Sequence, residues 1–391
     1  MEITKLKALQ PEFLEEIGFS WHTDPDSTPY IADEAVAVSE DEAEGYYAAA
    51  NELYDMFIEA GEHVIKNNLF FELGIPFNAV DMIRMSWEDE IHWHLYGRFD
   101  FAGGLDGQPI KLLEFNADTP TMLFESAIVQ WALLKANGMD ETMQFNNVYE
   151  ALRDNFKRLI TLGEDIAAFE EMYEGWGILF SSIAGNAEEE QTVRLLEHIA
   201  KEAGFNTHFC YAHEAHLSAD EGLFCGEQNY EFWFKLIPWE MISVDEPDMA
   251  ALMTEMMRNK NTIFLNPAYT LMFQSKRILK ILWDLFPNHP LLLETSFEPL
   301  KGKKMVKKHA FSREGENVAI LEPNGTALIE KGGNYGNLPA IYQEYVPLNA
   351  HANERYQANV FYAYEACALG FRRGGEILDN YSKFVSHYIK P

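Results

Sequence analysis

Two strand-like runs, HLYGRFDFA at 94–102 and IKLLEFNAD at 110–118, are separated by Gly103-Gly104 and Asp106-Gly107. Paired glycines and an Asp-Gly step are turn chemistry, so the spacing predicts an antiparallel hairpin. The second run carries Glu114, Asn116 and Asp118 at alternate positions, which puts all three on one face of a strand. With the turn centred near residue 106 or 107 and an even register, Arg98, Asp100, Glu114 and Asn116 project together. An odd register would send the two polar sets to opposite faces. In the even register two carboxylates lie close and repel unless a cation sits between them, and oxygen ligands from Asp, Glu and Asn suit a hard ion such as magnesium. Arg98 would then face anionic groups that the ion also holds. Such a face suits phosphoryl transfer, whose catalysis is largely positioning and neutralisation of charge. A solvated polar face with a local ion pair has the same pattern.

The 391 residues, 47% of them hydrophobic and 14% aromatic, are enough for one large domain or two to three ordinary ones. Thirty basic residues against 62 acidic ones give a formal charge of −32, which repels nucleic acid and anionic membrane and favours cationic partners. Neither nucleic acid nor membrane is an expected partner. No apolar run approaches the roughly eighteen residues of a spanning helix, and the first residues lack the apolar core of a signal peptide, so a cytoplasmic location is expected. Cys210, Cys225 and Cys367 lie far apart and form no CxxC pair, which gives a disulfide framework little support.

The opening third reads as mostly helical, with a capping box at Ser39 and Glu42 ahead of a long helix whose apolar residues recur at spacings of three and four. From residue 175 the pattern is strand, loop, helix and strand, an α/β unit with carboxylates at the helix start. The run YEFWFKLIPWEMI supplies a further strand. After Pro267, AYTLMFQSKRILKILWDLF predicts one helix, followed by the strand-like runs KKMVKKHAF, NVAILEP, TALIEKG and AIYQEYV. No repeat or long linker divides the chain, and approximate lobes are assigned at 1–170, 171–262 and 263–391.

A second group of interest places Lys307 and Lys308 on a strand ahead of the glycine-containing turn Arg313-Glu314-Gly315-Glu316-Asn317. Some nucleotide-binding proteins fold such a flap over phosphates with a lysine reaching in from the strand. An ordinary hairpin with exposed lysines has the same pattern. IYQEYVPL alternates and breaks at Pro347, a pattern compatible with a hinge whose backbone could pair with an adenine edge but unspecific by itself. His208, Cys210, His213 and His216 are metal-capable, but strand alternation aligns only the first two. His92 and His94 read as a polar strand face.

Together RFDF, LLEFNADTPT, FKLIPWE, FQSKRILKILW, VKKHAFSREGENV, IYQEYVPL and GFRRGGEILDNYSKFVSHYI resemble, in order, the synthetase region of glutathionylspermidine synthase and its stand-alone acid–amine ligase relatives. The resemblance implies an α/β (α+β) protein with an ATP-grasp type fold and an associated pre-ATP-grasp α/β unit. It also implies ligation of a carboxylate to an amine, dependent on ATP and magnesium, through an acyl phosphate. It makes Asp100, Glu114 and Asn116 the magnesium ligands and Arg98 the residue that contacts ATP and stabilises charge on the transferred phosphoryl. Lys276 and Lys308 match phosphate-contacting lysines. Glu314 and Gly315 match the closing glycine loop, and Gln343, Glu344, Tyr345 and Val346 the hinge around adenine. Gln357, Leu378 and Asp379 complete the nucleotide pocket, with Arg372 and Lys383 as further basic groups. Thr119 and Thr121 stand where serines contact the acyl substrate, and Glu189 and Glu190 resemble an acidic pair that receives the amine. Glu at a helix start is also the ordinary macrodipole choice.

The chain departs from the family at several points. Residues 1–90 contain no cysteine for the amidase half of bifunctional members, and Lys308-His309 replaces a Lys-Pro pair. The expected partners are therefore a small carboxylic acid, peptide or glutathione-like acids included, and an amine, polyamines included. An ATP-binding sensor or scaffold that has lost ligation, and a phosphotransferase that stops at the phosphorylated acid, are the alternatives.

Overall fold

The computed structural model describes residues 1–163 and 165–390. Its largest sheet runs in the order Glu2–Lys5, Ile31–Val38, Lys383–Ile389, Glu365–Gly374, Glu354–Ala363, Gly97–Ala102 and Lys111–Asn116, with Asn349–His351 pairing on Glu354–Ala363. Strands from both ends of the chain thus share one sheet. The hairpin adopts the even register: Arg98 lies opposite Asn116 and Asp100 opposite Glu114, with a bulge after Asp100.

Aromatic packing on the other face fixes that register. Phe99 stacks on Phe115 at 3.9 Å between ring centres, and Phe57 from the long helix Glu40–Asn67 meets Phe115 edge-on at 5.1 Å. A slip of one residue would drive Arg98 and Asp100 into this apolar layer. The helix itself begins with the expected capping box, in which Ser39 and Glu42 satisfy each other's backbone N–H groups.

A second sheet of four parallel strands has the order Ile263–Leu265, Phe232–Lys235, Gly177–Ser182 and Asn206–Tyr211. The helix Ala187–Ala203 makes the crossover between the last two, as the α/β reading expects. Strand order reverses between Gly177–Ser182 and Phe232–Lys235, the place where open parallel sheets collect ligands at their carboxyl ends. A five-stranded antiparallel sheet, with the order Thr295–Ser296, Ala340–Glu344, Met305–His309, Ala319–Leu321 and Ala327–Glu330, carries the glycine loop between its third and fourth members.

The structure corrects two expectations. The single helix after Pro267 is two, Thr270–Gln274 and Ile278–Leu285, because tertiary hydrogen bonds capture the residues between them. Ser275 Oγ donates to the Leu73 carbonyl at 2.6 Å and the Lys276 N–H to the Ala310 carbonyl at 2.8 Å. The opening third, read as mostly helical, also supplies the strands Glu2–Lys5 and Ile31–Val38, and the second of these is buried along nearly its whole length. Residues 354–374 form two ten-residue strands, Glu354–Ala363 and Glu365–Gly374. Among the described residues no helix is long and apolar enough to cross a membrane.

Candidate active site

The polar face of the hairpin forms the floor of a cleft. Arg98 is buried and forked onto Asp100, with Nε to Oδ1 at 2.8 Å and Nη2 to Oδ2 at 3.1 Å, while Nη1 donates to the Thr121 carbonyl at 2.7 Å. Asp100 also receives the Asn116 amide at 3.2 Å and the Asn359 amide at 2.7 Å. Beside them Glu114 meets Lys276 Nζ at 3.1 Å. Burial works against the charge on Glu114, but Lys276 and then Lys308 outweigh it and hold the carboxyl down at about 2. Lys308 is buried, which lowers it to about 8 against the pull of Glu114, and it donates to the Leu113 carbonyl at 3.0 Å and to Gln343 Oε1 at 2.8 Å.

The glycine loop covers this floor. Lys276 Nζ donates to the Ser312 carbonyl at 2.6 Å, and the Asn380 amide donates to Glu314 Oε2 at 2.5 Å. Gly315 has φ +72°, and a Cβ there would lie 2.2 Å from the Leu378 carbonyl oxygen. Only glycine fits this approach. Gln343, Glu344, Tyr345 and Val346 line one wall, and Gln357, Arg372 and Leu378 line another. Thr119 and Thr121 line the cleft at the end of the hairpin.

The structure therefore brings together Arg98, Asp100, Glu114, Asn116, Thr119, Thr121, Lys276, Lys308, Glu314, Gly315, the 343–346 segment, Gln357, Arg372 and Leu378. Four predicted residues, Asp379, Lys383, Glu189 and Glu190, do not line the cleft. The Asp379 carboxylate turns to Lys331 while its carbonyl accepts from Arg372 at 2.6 Å, and Lys383 is held by Asp24 and Thr28. Glu190 is occupied by Arg194 Nε at 2.9 Å and the Tyr211 hydroxyl at 3.0 Å.

Glu188 and Glu189, in the same first helical turn, feel the loop instead. Burial first and Glu125 next raise Glu188 to about 8, against Arg372. Burial also raises Glu189, opposed by Arg313. Glu125 is fully buried; its Oε1 accepts from Trp21 at 3.2 Å. Of the metal-capable segment, His208 stacks on Tyr230 and His213 on Tyr211, while Cys210 packs beside Ser181.

A model of the glutathionylspermidine synthase pre-ATP-grasp family matches residues 1–390. The chain belongs to that family. It is 30% identical to a Haemophilus influenzae protein named "putative acid–amine ligase", over 98% of both chains. It is 26% identical to the bifunctional glutathionylspermidine synthetase/amidase of Escherichia coli over 76% of this chain, and 24% identical to the trypanothione synthetase of Crithidia fasciculata over the same share. The matched region spans about half the length of these two relatives, 49% and 47%. Among solved structures, a glutathione synthetase-like effector of Globodera pallida matches with a TM-score of 0.58 at 11% identity, covering 98% of each chain, which is a likeness of fold.

In this member of the glutathionylspermidine synthase family, several residues that position the site escaped sequence reasoning. Asn266 is fully buried: its Oδ1 accepts from the Leu95 and Tyr96 N–H groups at 2.9 and 3.3 Å, and its Nδ2 donates to the Asp118 carbonyl at 2.8 Å. It therefore ties the start of one hairpin strand to the end of the other. Gln274 Oε1 accepts from the Ala117 N–H at 3.0 Å, next to Asn116. Asn359 braces Asp100 from the neighbouring strand, where it lies directly opposite in register. Alternation in ERYQANVF was a usable signal for Asn359; nothing local marked Asn266.

Proposed function

We propose that this protein joins a carboxylic acid to an amine at the expense of ATP. The observation that carries the reading is the meeting, in one cleft, of the Arg98–Asp100 fork, the Glu114–Lys276 pair and a loop that only glycine can close. The family relationship supports it. Asp100, Glu114 and Asn116 offer oxygen donors of the kind magnesium prefers, and that ion, when bound, supplies neutralisation of phosphate oxygens.

The remaining chemistry falls to the chain's own residues. Lys276 and Lys308 orient the phosphates beneath the glycine loop, and the 343–346 segment borders the adenine. A substrate carboxylate oxygen, presented near Thr119 and Thr121, attacks the γ-phosphorus and ADP departs. Arg98 opposes the charge that develops on the moving phosphoryl, and its fork on Asp100 fixes it in place beforehand. The amine nitrogen then attacks the acyl carbon, the C–O bond to phosphate breaks with its electron pair, and the surplus proton leaves with solvent. An acyl phosphate is needed because a free carboxylate is a poor electrophile.

The test is incubation with ATP, magnesium and pooled acids and amines, following phosphate release and product mass. A product lighter than its two parents by one water supports ligation. Phosphate release with every acid and amine left unchanged would overturn it.

A further inference from the structure

The two carboxylates on the cleft floor are held in different ways. Asp100 accepts four hydrogen bonds: Arg98 Nε at 2.8 Å and Asn359 Nδ2 at 2.7 Å on Oδ1, Arg98 Nη2 at 3.1 Å and Asn116 Nδ2 at 3.2 Å on Oδ2. That is about the full accepting capacity of a carboxylate, roughly four lone-pair sites. Glu114 lies directly opposite Asp100 on the neighbouring strand, and among the described residues its one ion-pair partner is Lys276, with Nζ at 3.1 Å. Its side chain is 24% exposed. A cation arriving through the cleft therefore meets Glu114 as the less occupied carboxylate, and Lys276 as the group it must contend with.

Lys276 has a second attachment. Its buried ammonium also donates to the Ser312 carbonyl at 2.6 Å, at the start of the glycine loop. Lys308, the other lysine beside Glu114, is bonded to the Leu113 carbonyl and to Gln343 and not to the carboxylate itself. A divalent ion on Glu114 takes the anion away from Lys276 and sets two like charges side by side. A buried ammonium stripped of its anion is costly, and the flexible lysine stem can carry it elsewhere.

We propose that a divalent cation and the Lys276 ammonium compete for Glu114, so that metal loading withdraws the lysine, loosens the loop at Ser312 and frees the ammonium for the phosphates of a nucleotide. The coupling is reciprocal: a lysine drawn to phosphate gives up Glu114 to the metal, so each ligand favours the other. Arg313 remains on Glu240 and Glu314 on Asn380, which confines the loosening to the first residues of the loop. The inference rests on the roles that the ligase reading gives Glu114 and Lys276, and adds the exchange between them.

Two measurements without nucleotide test it. The first is amide hydrogen exchange of the unmodified protein with and without magnesium chloride. Exchange over residues 310–315 should quicken severalfold with the metal, and Glu114→Gln should abolish that response. The second is manganese binding followed by electron paramagnetic resonance, counting only the sites lost in Glu114→Gln. Lys276→Met should bind about tenfold more tightly than the parent, and Lys308→Met should gain clearly less. The exchange experiment on the unmodified protein requires no variant to fold. A loop indifferent to magnesium there, unchanged or weaker manganese binding in Lys276→Met, or an equal gain in both lysine variants would overturn the competition. The ligase reading is separable. The expected exchange and manganese results, with no ATP-dependent product from any acid and amine, would leave the competition and remove the ligase, whereas ligation by a protein whose loop ignores magnesium would do the reverse.

Discussion

Glu114 and Lys276 meet at 3.1 Å across the cleft, and the same ammonium reaches the Ser312 carbonyl at 2.6 Å, so one lysine ties the floor of the site to its cover. Glu114→Gln keeps the volume and removes the charge. Magnesium-dependent ATP turnover should fall on the order of a hundredfold in protein whose circular dichroism spectrum shows it folded, with a lowered melting temperature because Lys276 and Lys308 lose their buried anion. Normal turnover with an unchanged magnesium requirement would remove Glu114 from the ligand set.

Arg98→Lys retains a cation opposite Asp100 but loses the planar fork and the bond to Thr121. If the guanidinium acts on the moving phosphoryl, kcat should drop by about a hundredfold while KM for ATP changes much less. Weaker ATP binding at an unaltered kcat would make Arg98 a positioning residue only.

Gly315→Val places a branched side chain against the Leu378 carbonyl and in a backbone region that β-branched residues avoid. The loop should no longer close, and the ATP KM should rise by about tenfold or more. Calorimetry with a non-hydrolysable ATP analogue checks this directly, and an unchanged affinity would leave only a plain hairpin.

Asn266→Ala tests the brace beneath the hairpin. Loss of the amide strands the buried N–H groups of Leu95 and Tyr96 and the carbonyl of Asp118, and should cost about 3 kcal/mol or more in urea unfolding. A cost within experimental error would mean that packing alone positions residues 94–118.

His387 is buried and neutral, accepting from the Phe145 N–H at 3.0 Å, and burial pushes its pKa down to about 3. Between that value and the ordinary histidine range near 6.5, the unfolded chain binds a proton that the folded chain refuses, so stability falls as pH drops through this window. From pH 7 to 5 this residue should account for about 2 kcal/mol of lost stability. His387→Gln removes the titration, and its unfolding curves at the two pH values should differ by that much less than the parent's. Equal pH slopes would contradict the burial effect.

The hairpin was legible because polar and aromatic residues alternate on both strands, so one register puts the polar set on the cleft floor and the aromatic set against the long helix. Lys276 was not legible from local pattern, since FQSKRIL continues a helical period; only bonds to Leu73 and Ala310, distant in sequence, break the helix and turn the lysine inward. The acidic pair shows the same limit. Glu188, Glu189 and Glu190 are equivalent as helix-start carboxylates, and it is Arg194 and Tyr211 that withdraw Glu190. Resemblance assigned Asp379 to the cleft wall, but its carboxylate turns to Lys331, which follows the strand Ala327–Glu330, and no local pattern marks that pairing.

Asp100 takes its closest amide from Asn359, 259 residues further along the chain, and the strand that pairs with the hairpin's free edge is Glu354–Ala363. A polypeptide still emerging from the ribosome has the polar residues of the hairpin early but cannot brace them until nearly all of it has been made. Contacts of such long sequence separation form late and slowly. Any truncation before residue 354 therefore leaves a bare sheet edge next to Arg98, open to pairing with a neighbouring chain.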